Sequence, residues 1–255
     1  MRSVGTAVAG PPGAPTIVFI HGTRLTGAMW TPQQTALAGE FRTIAVDLPA
    51  HGARAGEPFT LAGAVEAVAS TIRAEAGGRA VVVGLSLGGY VAMDLAARHP
   101  ELVRGLVLSG ATAEPTGIKV LPYLALARLM SQVDVDRLDR VNTWFFRRRF
   151  PPEIADPIVA GGFWSRGGSA ALRSVAGERF VPRLAAYPGP SLILNGEHDL
   201  PFRLFAPSFA AAAQDARRVR LAGASHLANL DRPAAFSEAV RRFARSLPAS
   251  RDSDG

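Results

Sequence analysis

Short apolar runs recur along this chain, and amphipathic stretches fill the gaps between them. Thr16-Ile17-Val18-Phe19-Ile20 and Arg79-Ala80-Val81-Val82-Val83 are continuous rather than alternating, as strands covered on both faces are. Shorter runs at residues 42–46, 103–108, 191–194 and 218–221 read the same way, and residues 2–8 read as an edge strand. Between them, residues 61–76, 86–98 and 233–247 place apolar side chains three and four apart. In the second of these, Val91 and Leu95 stand beside Ala92 and Ala96, and His99-Pro100 stops the helix. Strands that alternate with helices predict an α/β fold with a mostly parallel, doubly wound sheet. The polar residues 249–255 that follow Pro248 read as a disordered tail.

Residues 111–188 break the rhythm. They offer helical stretches at 120–132, 136–149 and 169–179 and no convincing strand. An insertion after one strand of a parallel sheet lies over the carboxyl ends of the strands, where such sheets bind ligands. The expected organisation is a core of residues 1–110 and 189–248, with residues 111–188 as a helical cap. Its apolar side chains, among them Leu121, Leu124, Leu126, Leu129, Phe145, Phe146, Phe163 and Trp164, read mostly as the cap's own core, with a share in roofing an apolar pocket.

Gly84-Leu85-Ser86-Leu87-Gly88 sits directly between a strand and a helix. Two flanking glycines let the chain turn sharply where a Cβ would clash, and the serine hydroxyl is left at the apex. A serine needs a base to become a nucleophile, and the base needs an acid to orient it. Of the five histidines, His99 reads as a helix-end residue, His51 as a turn residue and His21 as a backbone-bonded end of a buried strand. His226, in the loop Gly223-Ala224-Ser225-His226, is the candidate base. Asp199 is the candidate acid, ahead of Glu197 and Asp231, because it follows a strand and a glycine turn. Leu87 and Thr23 are the candidate backbone donors to an oxyanion, with Arg24 in reserve. Arg24, Trp30 and Trp144 are the candidate substrate contacts.

The order Ser86, Asp199, His226, together with several motifs, resembles the α/β-hydrolase superfamily. His21-Gly22 followed by Trp30 resembles its oxyanion loop. Asp47-Leu48-Pro49-Ala50-His51-Gly52 resembles its post-strand turn, although Ala50 stands where glycine is commoner. Gly84 to Gly89 resembles the nucleophile elbow, and the loops ending at Asp199 and His226 resemble those of the acid and base. Leu230-Asp231-Arg232-Pro233 resembles the family's entry into the last helix. The resemblance implies acyl chemistry through Ser86. Haloalkane dehalogenases and epoxide hydrolases of this fold use an aspartate at this position, and serine cannot form their ester intermediate. Hydrolysis of a carboxylic ester, lactone or thioester is the expected reaction. A lyase or C–C bond hydrolase acting on a carboxylated substrate is the alternative, since the early loops also resemble a menaquinone-pathway synthase subgroup. A non-catalytic homologue is the third possibility.

Composition narrows this further. The 255 residues include no cysteine, which removes disulfides, thiolate nucleophiles and Cys-ligated metals and suits a cytoplasmic protein. No continuous apolar segment approaches a membrane span, and residues 1–15 lack the apolar centre of a secretory signal. The net charge of +7 comes almost wholly from arginine, with Lys119 the single lysine. The arginines are scattered without aromatic interleaving, so nucleic acid is not an expected partner. Arg147-Arg148-Arg149 is the exception; it reads as a solvated face, or as a clamp for substrate carboxylates. A small-molecule substrate, no metal or organic cofactor, and a monomeric or homodimeric state complete the expectation.

Overall fold

The computed structural model describes residues 3–248. Seven strands form one sheet in the order β1-β3-β2-β4-β5-β6-β7. They are β1 (Thr6–Ala9), β2 (Thr16–Ile20), β3 (Arg42–Val46), β4 (Ala80–Leu85), β5 (Val103–Ser109), β6 (Pro190–Gly196) and β7 (Asp215–Leu221). β1 runs antiparallel to β3, and every other pairing is parallel. The edge strand expected at 2–8 lies at Thr6–Ala9; Arg2 and residues 249–255 lie outside the described residues. β7 begins three residues before its apolar pattern does. Its register with β6, from Pro190 opposite Asp215 to Gly196 opposite Leu221, carries the extra pairs on an exposed, arginine-rich edge.

Successive residues of the central strands face opposite layers. Val18, Ile20, Ile44, Val46, Val82, Leu106 and Leu108 enter one apolar cluster, and Ile17, Phe19, Ala45, Val81, Val83 and Val107 enter the other. Period-two chains with both faces covered explain the unbroken apolar runs. Each fully buried Val, Ile or Phe contributes roughly 1.5–3 kcal/mol. The helices before the insertion are α1 (Thr31–Leu37), α2 (Leu61–Glu75) and α3 (Leu87–Arg98). The helices between β5 and β6 are α4 (Leu121–Gln132), α5 (Val135–Arg149), α6 (Pro152–Gly161), α7 (Ser165–Val175) and α8 (Val181–Ala186). The last part of the chain adds α9 (Leu200–Arg203), α10 (Ala206–Ala212), α11 (Ala228–Asp231) and α12 (Pro233–Ser246). Helices α2, α3 and α8 pack on one face of the sheet, and α1 and α12 on the other.

The helical insertion differs from the expectation in three places. α7 starts at Ser165, because Gly167 and Gly168 are internal to it rather than part of a loop. A Cβ at Gly167 would meet the Ala50 carbonyl oxygen at 2.2 Å, so the helix needs a bare backbone there. α8 belongs to the core: Phe180, Leu184 and Tyr187 are buried with Tyr90 and Ala92 of α3, and the Tyr187 hydroxyl donates to the Val103 carbonyl at 3.2 Å. Leu121, Leu124 and Leu129, read as cap core, are exposed.

The junction of β4 and α3 positions everything above it. A Cβ at Gly84 would lie 2.2 Å from the Gly88 carbonyl oxygen, and one at Gly88 would lie 2.2 Å from that of Ile20. The helix therefore starts in near contact with two strands, and Gly84→Ala has no low-cost relaxation because backbone atoms oppose it. We expect this substitution to cost about 3 kcal/mol. Gly39→Ala, with nothing within 4 Å of the added atom, is expected to stay within about 0.5 kcal/mol of wild type. Urea unfolding of both variants makes the comparison, and equal stabilities would refute the close-approach account.

Candidate active site

Ser86 adopts φ 54° and ψ −117°, a conformation an L-residue holds only where its surroundings impose it. Its N–H donates to the Ser109 carbonyl at 2.8 Å, which ties the elbow to the end of β5. Leu87 opens α3, so its N–H has no acceptor within the helix and points along the positive end of the dipole. Ser86, Thr23 and Arg24 line one cavity of about 760 Å³, together with His226. The His226 Nδ1 lies 3.0 Å from Asp199 Oδ2, and the Asp199 side chain is only 5 % exposed. A ring held by a carboxylate at Nδ1 presents its other nitrogen to the cavity.

Four further residues, none of them singled out as site residues by the sequence, surround this pair. Gly110, at φ 57°, lies where a Cβ would come within 2.9 Å of His226 Nδ1 and 3.2 Å of Asp199 Oδ2. A glycine directly after a strand was the available signal. Phe202 stacks on the His226 ring at 4.9 Å between centroids. Asn195 Nδ2 donates to Thr112 Oγ1 at 3.0 Å, and Thr112 Oγ1 donates to the Phe202 carbonyl at 2.6 Å, so polar bonds between the ends of β5 and β6 fix that ring. Tyr123 of α4 also lines the cavity; its hydroxyl meets that of Tyr90 at 2.6 Å, and Tyr90 donates to the Ala113 carbonyl at 2.7 Å. Burial holds both phenols above their usual range.

The rival acids have other partners. Asp231 Oδ2 accepts from the Ser225 N–H at 2.7 Å and from the Ser225 hydroxyl, and Asp231 Oδ1 accepts from Arg149 at 2.6 Å. Glu197 accepts from the Gly223 N–H at 3.0 Å. Both acids brace the loop that carries His226. The arginine run divides: Arg149 lines the cavity, whereas Arg147 faces Asp156 at 3.6 Å on the outer side.

Two candidate contacts fall elsewhere. Trp30 is wholly buried, stacked on Phe19 at 4.9 Å and close to Phe236 of α12, because the loop after β2 folds back into the core. Trp144 is 67 % exposed and borders an outer groove beside Asp136, Arg140 and Arg148, because it lies on the face of α5 away from the cavity. Among the described residues, no group of three or more histidine, aspartate or glutamate side chains is placed to hold a metal ion.

The profile of the Alpha/beta hydrolase family matches residues 17–239. The chain belongs to that family. Among its relatives, the 2-(acetamidomethylene)succinate hydrolase of Mesorhizobium japonicum is 30 % identical over 90 % of this chain and 87 % of its own length. A pimeloyl-[acyl-carrier protein] methyl ester esterase of Neisseria meningitidis is 37 % identical, and there the chain spans about half the relative's length: 51 % of this chain matches 50 % of that protein. A solved hydrolase from Pseudomonas aeruginosa PA01 superimposes with a TM-score of 0.78 at 26 % identity, covering 93 % of this chain and 92 % of that one.

Within this family member, His21 and His51 stay outside the cavity and hold the loops around it. His21 Nδ1 donates to the Gly22 carbonyl, and His21 Nε2 accepts the Leu48 N–H, each at 2.9 Å. Only the neutral ring fits both bonds. Burial pulls the pKa of His21 down to about 4 and, with the neighbouring His21 ring adding to the effect, that of His51 to about 3. In the unfolded chain both titrate near 6.5. As pH falls below that value the unfolded state binds protons that the folded state refuses, so stability drops until the folded values are reached. Each ring is expected to remove about 2 kcal/mol between pH 7 and pH 5. His51→Gln should show a visibly shallower loss in urea midpoints than wild type; parallel profiles would contradict this.

Proposed function

We propose that this protein is a serine hydrolase that cleaves a carboxylic ester, lactone or thioester through an acyl-enzyme on Ser86. The observation that carries the reading is the 3.0 Å His226–Asp199 pair, whose ring opens into the cavity that Ser86 lines. In this scheme His226 takes the Ser86 proton as Oγ attacks the carbonyl. Asp199 holds the ring in the required tautomer and stabilises the imidazolium that forms. The N–H groups of Leu87 and Thr23 receive the developing oxyanion. His226 then returns the proton to the leaving group, and a water molecule activated by the same ring releases the acid. Helices α4–α7 act as a cap that excludes bulk water and sets substrate choice.

The lining supports a partly apolar substrate with an anionic end. Leu126, Phe145, Phe146 and Phe205 supply apolar surface, while Arg24, Lys119 and Arg149 supply positive charge, that of Arg149 shared with Asp231. The relatives named as an esterase and as a succinate-derivative hydrolase are consistent with that chemistry. Because the same three cations also suit a carboxylated substrate of a lyase or C–C bond hydrolase, that reaction stands as the second reading. In this proposal the protein has no metal or organic cofactor and works in the cytoplasm.

Hydrolysis of p-nitrophenyl esters from acetate to decanoate tests the reading, with fluorophosphonate labelling run in parallel. Ser86→Ala is expected to abolish both signals, and Asp199→Asn to reduce turnover by on the order of a thousandfold or more. Labelling of wild type without ester turnover would favour the second reading. Absence of both would exclude a competent serine and leave a non-catalytic family member.

A further inference from the structure

Large apolar side chains are exposed in one region of this molecule. Among the described residues twelve are exposed, and all but Val4 and Val219 lie within residues 118–145 or at Leu200 and Leu204. Ile118 is 81 % exposed, Leu121 58 % and Leu204 66 %. The cavity is lined by neighbours of these residues on the same helices, Pro122 and Leu126 on α4, Phe145 on α5, and Pro201 and Phe202 on α9. Lys119 lies 4.1 Å over the Phe205 ring, which brings the start of α4 against the segment after α9. The exposed residues at the start of α4, at Phe145 and at α9 therefore form a collar beside the Ser86 cavity, whereas Trp144 faces the outer groove of α5. A face of this kind in a water-facing helix is unfavourable unless something covers it.

Charge identifies the occupant. Residues 117–133 contain Lys119 and Arg128 and no acid, and residues 140–149 contain Arg140 and Arg147 to Arg149, of which Arg147 pairs with Asp156 and Arg149 with Asp231. The acids of this stretch, Asp134, Asp136 and Asp139, stand together at the start of α5. Leucines interspersed with cations suit an anionic amphiphile surface, where apolar groups enter the acyl boundary and basic groups meet headgroups. A second copy of this chain would set cation against cation. No helix among the described residues is long and apolar enough to cross a membrane, so attachment would be peripheral.

We propose that the collar formed by α4, Phe145 and α9 docks this protein reversibly on an anionic lipid surface. The cavity mouth then faces the bilayer, and an apolar substrate enters without crossing water. Docking does not require that Ser86 be competent, so its test and the test of hydrolysis fail separately.

The test uses full-length Ser86→Ala protein with vesicles of phosphatidylcholine alone and of phosphatidylcholine containing phosphatidylglycerol. Co-sedimentation is expected with the anionic vesicles and is expected to fade at high salt. The triple variant Leu121→Ser, Leu124→Ser, Leu129→Ser alters side chains that are exposed and outside the cavity lining. It is expected to bind at least about tenfold more weakly. Its far-UV circular dichroism and urea midpoint should match those of the parent protein, which shows an intact fold. No sedimentation with anionic vesicles would overturn the proposal, as would equal binding by the triple variant. A concentration-dependent dimer that the triple variant dissolves, seen without vesicle binding, would assign the collar to a second copy instead.

Discussion

A methyl group at Gly84 would stand 2.2 Å from one carbonyl oxygen, and a methyl group at Gly88 would stand 2.2 Å from another. Strand β4, helix α3 and the end of β2 are thus in backbone contact, with no side chain between them. The chain can leave the strand and enter the helix within a single residue only because these positions are bare. That residue is Ser86, and its left-handed φ follows from the crowding around it. The Cβ of Ser86 is thereby aimed away from the sheet into the cavity, with the positive end of α3 directly behind it. In the proposed mechanism, nucleophile direction and oxyanion field therefore share one steric origin.

The loop that faces this elbow is stabilised separately. His21 bridges Gly22 and Leu48, and Asp47 accepts the N–H of Gly27 at 2.8 Å and that of Ala53 at 2.9 Å. The loops after β2 and β3 thus hold each other through the buried His21 ring and the part-buried Asp47 carboxylate. Such groups are stabilising only while each is satisfied, which makes this shell sensitive to protonation. Ala50 in the same turn has φ 63°, which explains in backbone terms why glycine is common in turns of this kind. The strain at Ala50 is offset by packing, since α7 approaches so closely that Gly167 would clash with the Ala50 carbonyl if it carried a Cβ.

Much of this architecture is legible in local sequence, because buried parallel strands and amphipathic helices write their period into composition. Thr16-Ile17-Val18-Phe19-Ile20 is buried at every position and reads as a strand without help. What escapes local reading depends on residues far apart in the chain. α1 passes unnoticed because its inward positions are Gln33 and Gln34, polar residues made acceptable by bonds to the Asn229 carbonyl at 2.8 Å and the Ala7 carbonyl at 2.9 Å. α6 contains Pro157, and α7 opens with two glycines, so both look like loop. Trp30 reads as a substrate contact until Phe19 and Phe236 close around it. In the candidate site, Ser86, Asp199 and His226 each follow a strand end and a glycine, which makes them visible one at a time. Phe202 and Tyr123 have no such mark, since only the folded chain brings them to the cavity.

The two aspartates near His226 show how similar residues acquire different tasks. Asp231 accepts two bonds from Ser225 and one from Arg149, so its charge and orientation are committed to the loop. A carboxylate so occupied has little capacity left to follow a proton that arrives on a neighbouring ring. Asp199 is 5 % exposed and faces His226 Nδ1, with Gly110 leaving room and Phe202 limiting rotation. It is therefore placed to respond to charge on the imidazole, which is the task an orienting acid has to perform. Arg149 lies at the end of α5, so Asp231 also binds the helical insertion to the loop that carries the imidazole. A displacement of α5 would move Arg149 and, through Asp231, pull on Ser225. The helical insertion and the candidate base are in this way mechanically coupled through one ion pair.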